Sequence, residues 1–172
     1  MKIKKSTTGV LLALFLFTNI MCANGQSPSA DAKGTVNGKN ISVKYSSPAV
    51  RGRVIFGGLI PYDKVWRAGA NRATEFKTDK NITVEGKALA AGTYSIYAIP
   101  GKASWQIIFN SETGQWGTNS EGVTTRVPAK DVLVVSVKPV KTAALVENLK
   151  YNITAKGLEL VWENVSVPVA IK

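Results

Sequence analysis

The chain has 172 residues, with 22 lysines and arginines against 11 aspartates and glutamates, and a formal net charge of +11 at pH 7. It contains no histidine and a single cysteine. The absence of histidine excludes Ser-His-Asp triads and histidine-based metal sites. We therefore expect no metal and no cofactor, and any enzyme here would depend on carboxylates, tyrosine, lysine, arginine or serine.

The N-terminus has the pattern of a secretory signal. Three lysines precede the apolar run Val10–Ile20, which is too short to span a bilayer because a spanning helix needs roughly 20 apolar residues. The pattern predicts a signal peptide at residues 1–25, with cleavage before Gln26, export to the periplasm or the extracellular space, and no transmembrane span. Cleavage after Ala23, a retained N-terminal anchor and lipidation at Cys22 stay open as alternatives.

Beyond that signal the sequence predicts one β-rich domain. Residues 26–34 are polar and predict a short linker, and residues 35–172 form the predicted domain. Alternating apolar and polar residues, with turn signals at regular spacing, favour eight to nine strands in an antiparallel β-sandwich or a flattened barrel. The run Val132–Val137 is nearly continuously apolar, which is typical of a strand covered on both faces.

Three segments depart from the strand pattern. Tyr62–Arg67 follows Pro61, a residue that suits the first turn of a helix, so we expect one short helix there. Ser111–Lys130 holds three glycines and is predicted as a long loop around Trp116. Ser47–Thr74 is predicted as a second long loop, rich in glycine and arginine.

This glycine- and arginine-rich segment is the candidate functional site. It contains four of the five arginines in the chain, and a guanidinium binds carboxylate or phosphate through a planar fork. Together with aromatic rings and an amide, these arginines are suited to a pocket for an anionic or sugar-like ligand. The predicted ligand-binding residues are Arg51, Arg53, Tyr62, Trp66, Arg67 and Asn71. The alternative is that the same residues only hold the loop over the end of the sandwich.

The order of short motifs resembles the secreted domain-of-unknown-function 2911 family, found mostly in Bacteroidetes. The motifs that carry the resemblance are Arg51-Gly52-Arg53, Ile55-Phe56-Gly57, Pro61-Tyr62, Val65-Trp66-Arg67, Gly69-Ala70-Asn71, Gly92-Thr93-Tyr94-Ser95, Ile99-Pro100-Gly101, Ile107-Ile108-Phe109-Asn110 and Trp116-Gly117. The resemblance covers essentially the whole chain after the signal and implies a secreted all-β protein, but no particular activity. Arg72 stands where the family usually has an acidic residue, and Ala68 where it usually has threonine.

Three classes of function remain open. The first is a binding module for an anionic glycan or a small acidic ligand. The second is a histidine-independent hydrolase or lyase acting on carbohydrate. Its candidate groups are Asp63, Glu75, Glu112 and Glu121, with Tyr45 or Tyr62 as a base; no spacing singles out a catalytic pair. The third is an envelope protein that pairs with a partner through an edge strand near Val165–Ile171. No nucleic-acid-binding motif is present, and no feature sets an oligomeric state.

Overall fold

A computed structural model describes residues 25–172, so the predicted signal peptide lies outside the described residues except for Gly25. The described chain is all-β, as predicted, with ten strands rather than eight to nine. In chain order they are β1 (Ser29–Val36), β2 (Lys39–Ser46), β3 (Thr74–Thr78), β4 (Ile82–Val84), β5 (Lys87–Leu89), β6 (Gly92–Ile99), β7 (Trp105–Asn110), β8 (Asp131–Val137), β9 (Val140–Thr154) and β10 (Gly157–Ala170). A 3₁₀ turn at Pro128–Lys130 precedes β8.

Six strands form the main antiparallel sheet, in the order β1-β2-β3-β6-β7-β8. Period-2 side-chain alternation sets which face is buried. In β3, for example, Phe76 points inward and lies opposite Val43 on one neighbouring strand and Tyr94 on the other. The sheet therefore presents one continuous apolar face to the second layer.

The second layer is the β9–β10 ribbon, which is bent sharply. Its register shifts between Val161 and Glu163 and again between Glu163 and Val165. The ribbon then folds back, so that Ile171 N–H donates to the Lys156 carbonyl at 3.0 Å. Such irregularities increase the bend of a strand pair. The bent ribbon covers the main sheet without closing it into a barrel, which decides between the two predicted architectures in favour of a sandwich.

The predicted linker at residues 26–34 is wrong for most of its length, because residues 29–34 belong to β1. Its inward positions carry Ala30, Ala32 and Gly34, which are small and lack the branched side chains typical of strands. The structure requires them to be small. A Cβ on Gly34 would lie 2.8 Å from Cβ of Ile153 on β9. Because close packing against β9 requires small inward residues, β1 lacks the branched apolar residues by which a strand is recognised in a sequence.

The predicted short helix at Tyr62–Arg67 is absent. Trp66 instead forms a two-way backbone bridge with Ala98 at the end of β6, with both N–H···O distances at 2.8 Å. Asp63 has φ of 59°, which is outside the right-handed helical region. Backbone pairing with the sheet outweighs the local helix signal of Pro61.

Two predictions about strand environment also change. The Val132–Val137 run belongs to β8, which is an edge strand with Val132 and Val134 exposed, so it is covered on one face only. The predicted free edge near Val165–Ile171 is partly occupied, because Ile171 bridges to Val84 and Glu85 N–H donates to the Ala170 carbonyl at 2.9 Å.

Candidate functional site

Residues 47–73, here called the connecting segment, cross one end of the sandwich between β2 and β3 without forming a named strand. Their backbone is fixed to the second layer by two carboxylates. Glu147 Oε1 accepts the Arg51 N–H at 2.8 Å, and Glu163 Oε1 accepts the Ile55 N–H at 2.9 Å. These carboxylates therefore hold the backbone of the segment rather than its cationic side chains.

The connecting segment forms one wall of a cleft of about 650 Å³. The bend of the β9–β10 ribbon contributes Asn148 and Trp162, and a turn at residues 118–124 closes the opposite side with Thr118 and Thr124. Four cationic residues line the cleft, and no aspartate or glutamate among the described residues does so. The four are Arg51, Arg53, Lys64 and Arg67.

Arg67 is the most enclosed of the four cations. Its Nη1 donates to Thr118 Oγ1 at 3.2 Å, and its Nε is buried with no hydrogen-bond partner among the described residues. Burial lowers the pKa of Arg67 below its ordinary value, because desolvation disfavours the charged form. Arginine still remains protonated in proteins at neutral pH. The cleft thus contains a half-buried positive charge whose hydrogen-bonding capacity is incompletely used.

Arg53 and Arg51 differ in what holds them. Arg53 donates from Nε to the Val50 carbonyl at 3.0 Å and from Nη2 to the Ala49 carbonyl at 2.6 Å, so one edge of its guanidinium stabilises the segment. Its Nη1 makes no hydrogen bond among the described residues. Arg51 is exposed, and its contact with Glu147 uses the backbone N–H only. Arg53 therefore stabilises the segment with Nε and Nη2 and leaves Nη1 without a hydrogen bond among the described residues.

Trp66 belongs mainly to the core. Only 5% of the residue is exposed, its Nε1–H donates to the Gly69 carbonyl at 3.1 Å, and its ring stacks on Trp162 at 5.9 Å with 21° between the planes. Phe56 and Trp105 pack edge-on against it. Trp66 forms part of the floor of the cleft but offers no open ring face for a sugar.

Asn71 and Tyr62 do not line this cleft. The Asn71 side-chain amide donates to the Ser27 carbonyl at 3.0 Å and to Ser46 Oγ at 3.2 Å, and it borders a separate groove of about 420 Å³. Tyr62 packs over Gly57, where an added Cβ would lie 2.6 Å from the ring, and Lys102 Nζ lies 5.9 Å from the ring centroid. The structure thus brings four of the six predicted residues to one cleft and leaves these two outside it.

The sequence reasoning missed Lys64 and the 118–124 turn. Lysines are spread along the whole chain, so Lys64 carries no signal of its own, although it lies three positions before Arg67 in the same segment. The turn belongs to the predicted Ser111–Lys130 loop, in which Trp116 is the most distinctive residue of the sequence. That tryptophan is 47% exposed, forms a backbone bridge with Arg72 and does not line the cleft.

The candidate catalytic groups do not converge on the cleft. None of Asp63, Glu75, Glu112 and Glu121 lines it, and Glu75 borders the smaller groove instead. Within residues 25–172 no three His, Cys, Asp or Glu side chains are grouped closely enough to hold a metal ion. The Tyr45 hydroxyl accepts the Tyr151 N–H at 3.3 Å and also lies by the smaller groove. Within the part of the chain that the structure describes, these candidate groups therefore form no acid–base pair at the cationic cleft.

A separate polar cluster holds the long loop that follows β7. Asn110 is fully buried, and its amide donates to the Val127 carbonyl at 2.8 Å and to Asp131 Oδ1 at 2.7 Å. Arg126 forms an ion pair with Asp131. Burial acts to raise the pKa of Asp131, but the hydrogen bonds from Arg126 and Asn110 and the charge of Arg126 outweigh it and lower that pKa. The cluster fixes the loop that supplies the far wall of the cleft.

Comparison with known proteins gives a family and nothing finer. Over residues 25–172 no helix is long and apolar enough to cross a membrane. No curated protein and no solved structure is significantly similar to this chain. Residues 27–171 match the family described as a protein of unknown function, DUF2911, and the chain belongs to that family.

Proposed function

We propose that this protein is an exported binding module that holds an anionic ligand in the cationic cleft. The observation that carries the proposal is the lining itself, with Arg51, Arg53, Lys64 and Arg67 around one concavity and no acidic residue among the described lining residues. Like charges gathered in a cleft focus a field that attracts ligands of opposite charge.

The cations of the cleft have no carboxylate partners in the part of the chain that the structure describes. Among residues 25–172 one ion pair forms, between Arg126 and Asp131, outside the cleft. Self-repulsion of unpaired cations is a cost that a bound anion would remove. The guanidinium of Arg67 supports the same conclusion, because among the described residues it makes one hydrogen bond, from Nη1, and its Nη2 can donate to a ligand carboxylate or phosphate.

The volume of the cleft, and the uncharged residues that line it beside the four cations, favour a small ligand or a single unit of a larger one. A volume of about 650 Å³ lies within the usual range for ligand pockets, roughly 300–1,000 Å³. Ile60 and Val65 offer apolar contacts, and the Thr118 and Thr124 side chains offer hydroxyl groups. This combination suits an acidic sugar unit or a small organic acid.

Binding is favoured over catalysis at this site. No carboxylate and no tyrosine belongs to the described residues that line the cleft. Glycoside hydrolysis needs two carboxyl groups flanking the scissile bond, and a lyase would need a base beside the substrate. The proposal therefore assigns the cations to ligand recognition and assigns no catalytic residue.

The binding proposal can be tested by calorimetric titration of the purified protein with acidic oligosaccharides (uronate and sulfated), a small-acid panel and a neutral glucan. We expect an acidic ligand to bind and the neutral glucan not to bind. Arg67→Gln should weaken binding about tenfold or more, since a charge-assisted hydrogen bond contributes roughly 1.5–3 kcal/mol. Lys156→Gln, in the β9–β10 turn outside the cleft, should leave the affinity unchanged. Equal affinities for Arg67→Gln and the unaltered protein would contradict the proposal.

Export is the second part of the proposal. It is supported by the lysine-flanked apolar run at Val10–Ile20 and by the small residues before Gln26. Export would bring a basic protein to the cell envelope, where acidic glycans, anionic lipids and peptidoglycan are available as partners. The expected location is the periplasm or the extracellular space.

A further inference from the structure

The end of the sandwich that carries the cleft also exposes apolar side chains at two turns. Val54 is 68% exposed, Leu59 47% and Val123 57%. Leu59 lines the cleft on one side, and Gly122 and Thr124, the neighbours of Val123, line it on the other. The apolar tips therefore border the cationic cleft from both sides.

The first tip is held rigidly outward. Leu59 N–H donates to the Val54 carbonyl at 3.0 Å, which closes a tight turn. A Cβ on Gly58 would lie 2.4 Å from the Val54 carbonyl oxygen, so only glycine fits at this position without a shift of the backbone. The turn therefore holds the Val54 and Leu59 side chains in fixed positions, exposed to solvent rather than packed in the core.

The second tip is fixed by a polar side chain. Asn119 N–H donates to the Val123 carbonyl at 2.8 Å, and Asn119 Oδ1 accepts the Val123 N–H at 2.9 Å. Arg67 reaches this turn from across the cleft through its bond to Thr118. Both tips thus belong to one braced surface rather than to separate loose loops.

Single exposed apolar residues are ordinary on protein surfaces. Here, however, the exposed apolar residues lie beside a cleft that is lined by cations. Surfaces that bind membranes combine basic residues, which attract anionic headgroups, with apolar side chains that enter the headgroup–acyl boundary. Arg51, Arg53, Lys64 and Arg67 supply the first component at this end of the sandwich. Glu121 in the second turn opposes it, as do Glu147 and Glu163, which bond the backbone of the connecting segment, but the four cations outnumber these three acids.

We propose that this end of the sandwich docks on an anionic lipid surface, with phosphate headgroups at the cationic cleft and Val54, Leu59 and Val123 in the headgroup–acyl boundary. The inference rests on the proposed anion binding by the same cleft and names the lipid headgroup as the source of the anion. A freely diffusing acid would need the cations but not the apolar tips. A membrane surface uses both.

The test is co-flotation of the purified protein with phosphatidylcholine vesicles, with and without phosphatidylglycerol, alongside titration with a soluble sulfated oligosaccharide. We expect partitioning only onto vesicles that contain phosphatidylglycerol, falling as salt rises. Val54→Ser with Val123→Ser should lower that partitioning about tenfold or more and should leave the affinity for the soluble oligosaccharide unchanged. Val140→Ser, at a residue that is 53% exposed and lies away from the cleft, is the matched control and should not alter partitioning.

Arg51→Gln with Lys64→Gln should weaken both vesicle and oligosaccharide binding, with about fivefold lost per cation at the membrane. Melting temperatures of all variants check that each one folds. Binding of the soluble oligosaccharide without any binding to vesicles would overturn the docking proposal and leave the anion-binding proposal intact. Unchanged partitioning of the doubly substituted valine variant would also overturn it. Failure of the unaltered protein to bind either probe would overturn both proposals.

Discussion

Arg67 Nη1 donates to Thr118 Oγ1 at 3.2 Å, and this bond joins the connecting segment to the 118–124 turn across the cleft. The aliphatic stem of Arg67 packs on Gly117, where an added Cβ would lie 2.1 Å from Arg67 Cδ. Residue 117 must therefore be small for the guanidinium to occupy its observed position. The packing of Arg67 on Gly117 therefore sets the position of the most enclosed cation in the cleft.

Gly117→Ala should displace Arg67. We expect a loss of about 1–3 kcal/mol in the free energy of unfolding, the usual cost of overpacking, together with weaker anion binding. Gly114→Ala is the control, since a Cβ there meets nothing within 4 Å although φ is +83°. It should lower stability through backbone strain and leave the affinity intact. Denaturant unfolding and ligand titration measure the two effects. Unchanged affinity in Gly117→Ala would contradict the role given to Arg67.

Trp66→Ala should destabilise the domain by about 3–5 kcal/mol, because it removes a large ring from the core. The ring stacks on Trp162 and is surrounded by Phe56 and Trp105. Trp116→Ala removes a ring that is 47% exposed and should change stability by about 0.5 kcal/mol. Urea unfolding of the two variants compares them directly. A small effect at Trp66 would mean that the ring faces the cleft rather than the core.

Asp131 should make the domain sensitive to acid. Burial acts to raise the pKa of this carboxyl, but its hydrogen bonds to Arg126 and Asn110 lower it below the ordinary value of 3.8. A lowered folded-state pKa gives stability that is present above the unfolded value and is lost as pH falls through the folded value. The contribution of Asp131 is therefore complete at neutral pH, begins to fall near the ordinary pKa of 3.8, and is lost as pH falls through the lower folded-state pKa.

Asp131→Asn should accordingly cost about 1.5–3 kcal/mol at pH 7, and the difference from the unaltered protein should shrink in acid. Melting curves between neutral and acidic pH measure this. Asp31→Asn, at an exposed position on β1, is the control and should change stability by no more than about 0.5 kcal/mol. A difference at residue 131 that stayed constant with pH would contradict the assignment to the carboxylate.

Export predicts a processed N-terminus. Edman degradation or mass spectrometry of the protein recovered from the cell envelope or the medium should place the first residue at or near Gln26. Cleavage there removes Cys22, so the mature chain should not react with thiol reagents. An intact Met1 in the recovered protein, or a lipid on Cys22, would contradict the predicted processing.

The strands with clear alternation were predictable from the sequence. In β2 the apolar residues Ile41 and Val43 alternate with polar ones, and both are buried, as the local rule that one face of a strand is apolar predicts. β1 was missed because packing against Ile153 demands small inward residues, which no period-2 search detects. The helix at Tyr62–Arg67 was predicted wrongly because Trp66 pairs with Ala98, a residue that is distant in the sequence, and a local pattern does not reveal this pairing.

The candidate site was predictable only in part, because some of its features are local in the sequence and others arise only in the folded chain. The concentration of arginine identified the connecting segment, since clustering is a local property of the sequence. Which cations share a cleft depends on the bend of the β9–β10 ribbon and on the 118–124 turn, and both are tertiary features. Lys64 was missed and Asn71 lies by another groove because only the folded chain decides where each side chain points.

The most direct test of anion binding by the cationic cleft is an amide NMR titration of the isotope-labelled protein with the acidic ligand that binds most tightly. We expect the largest shifts on residues 49–53, 64–70 and 118–124, which form the walls of the cleft. Amides of β8, at the far edge of the main sheet, should not move. Shifts concentrated on β8 or on the β9–β10 turn, with residues 49–53 and 64–70 unaffected, would contradict the claim.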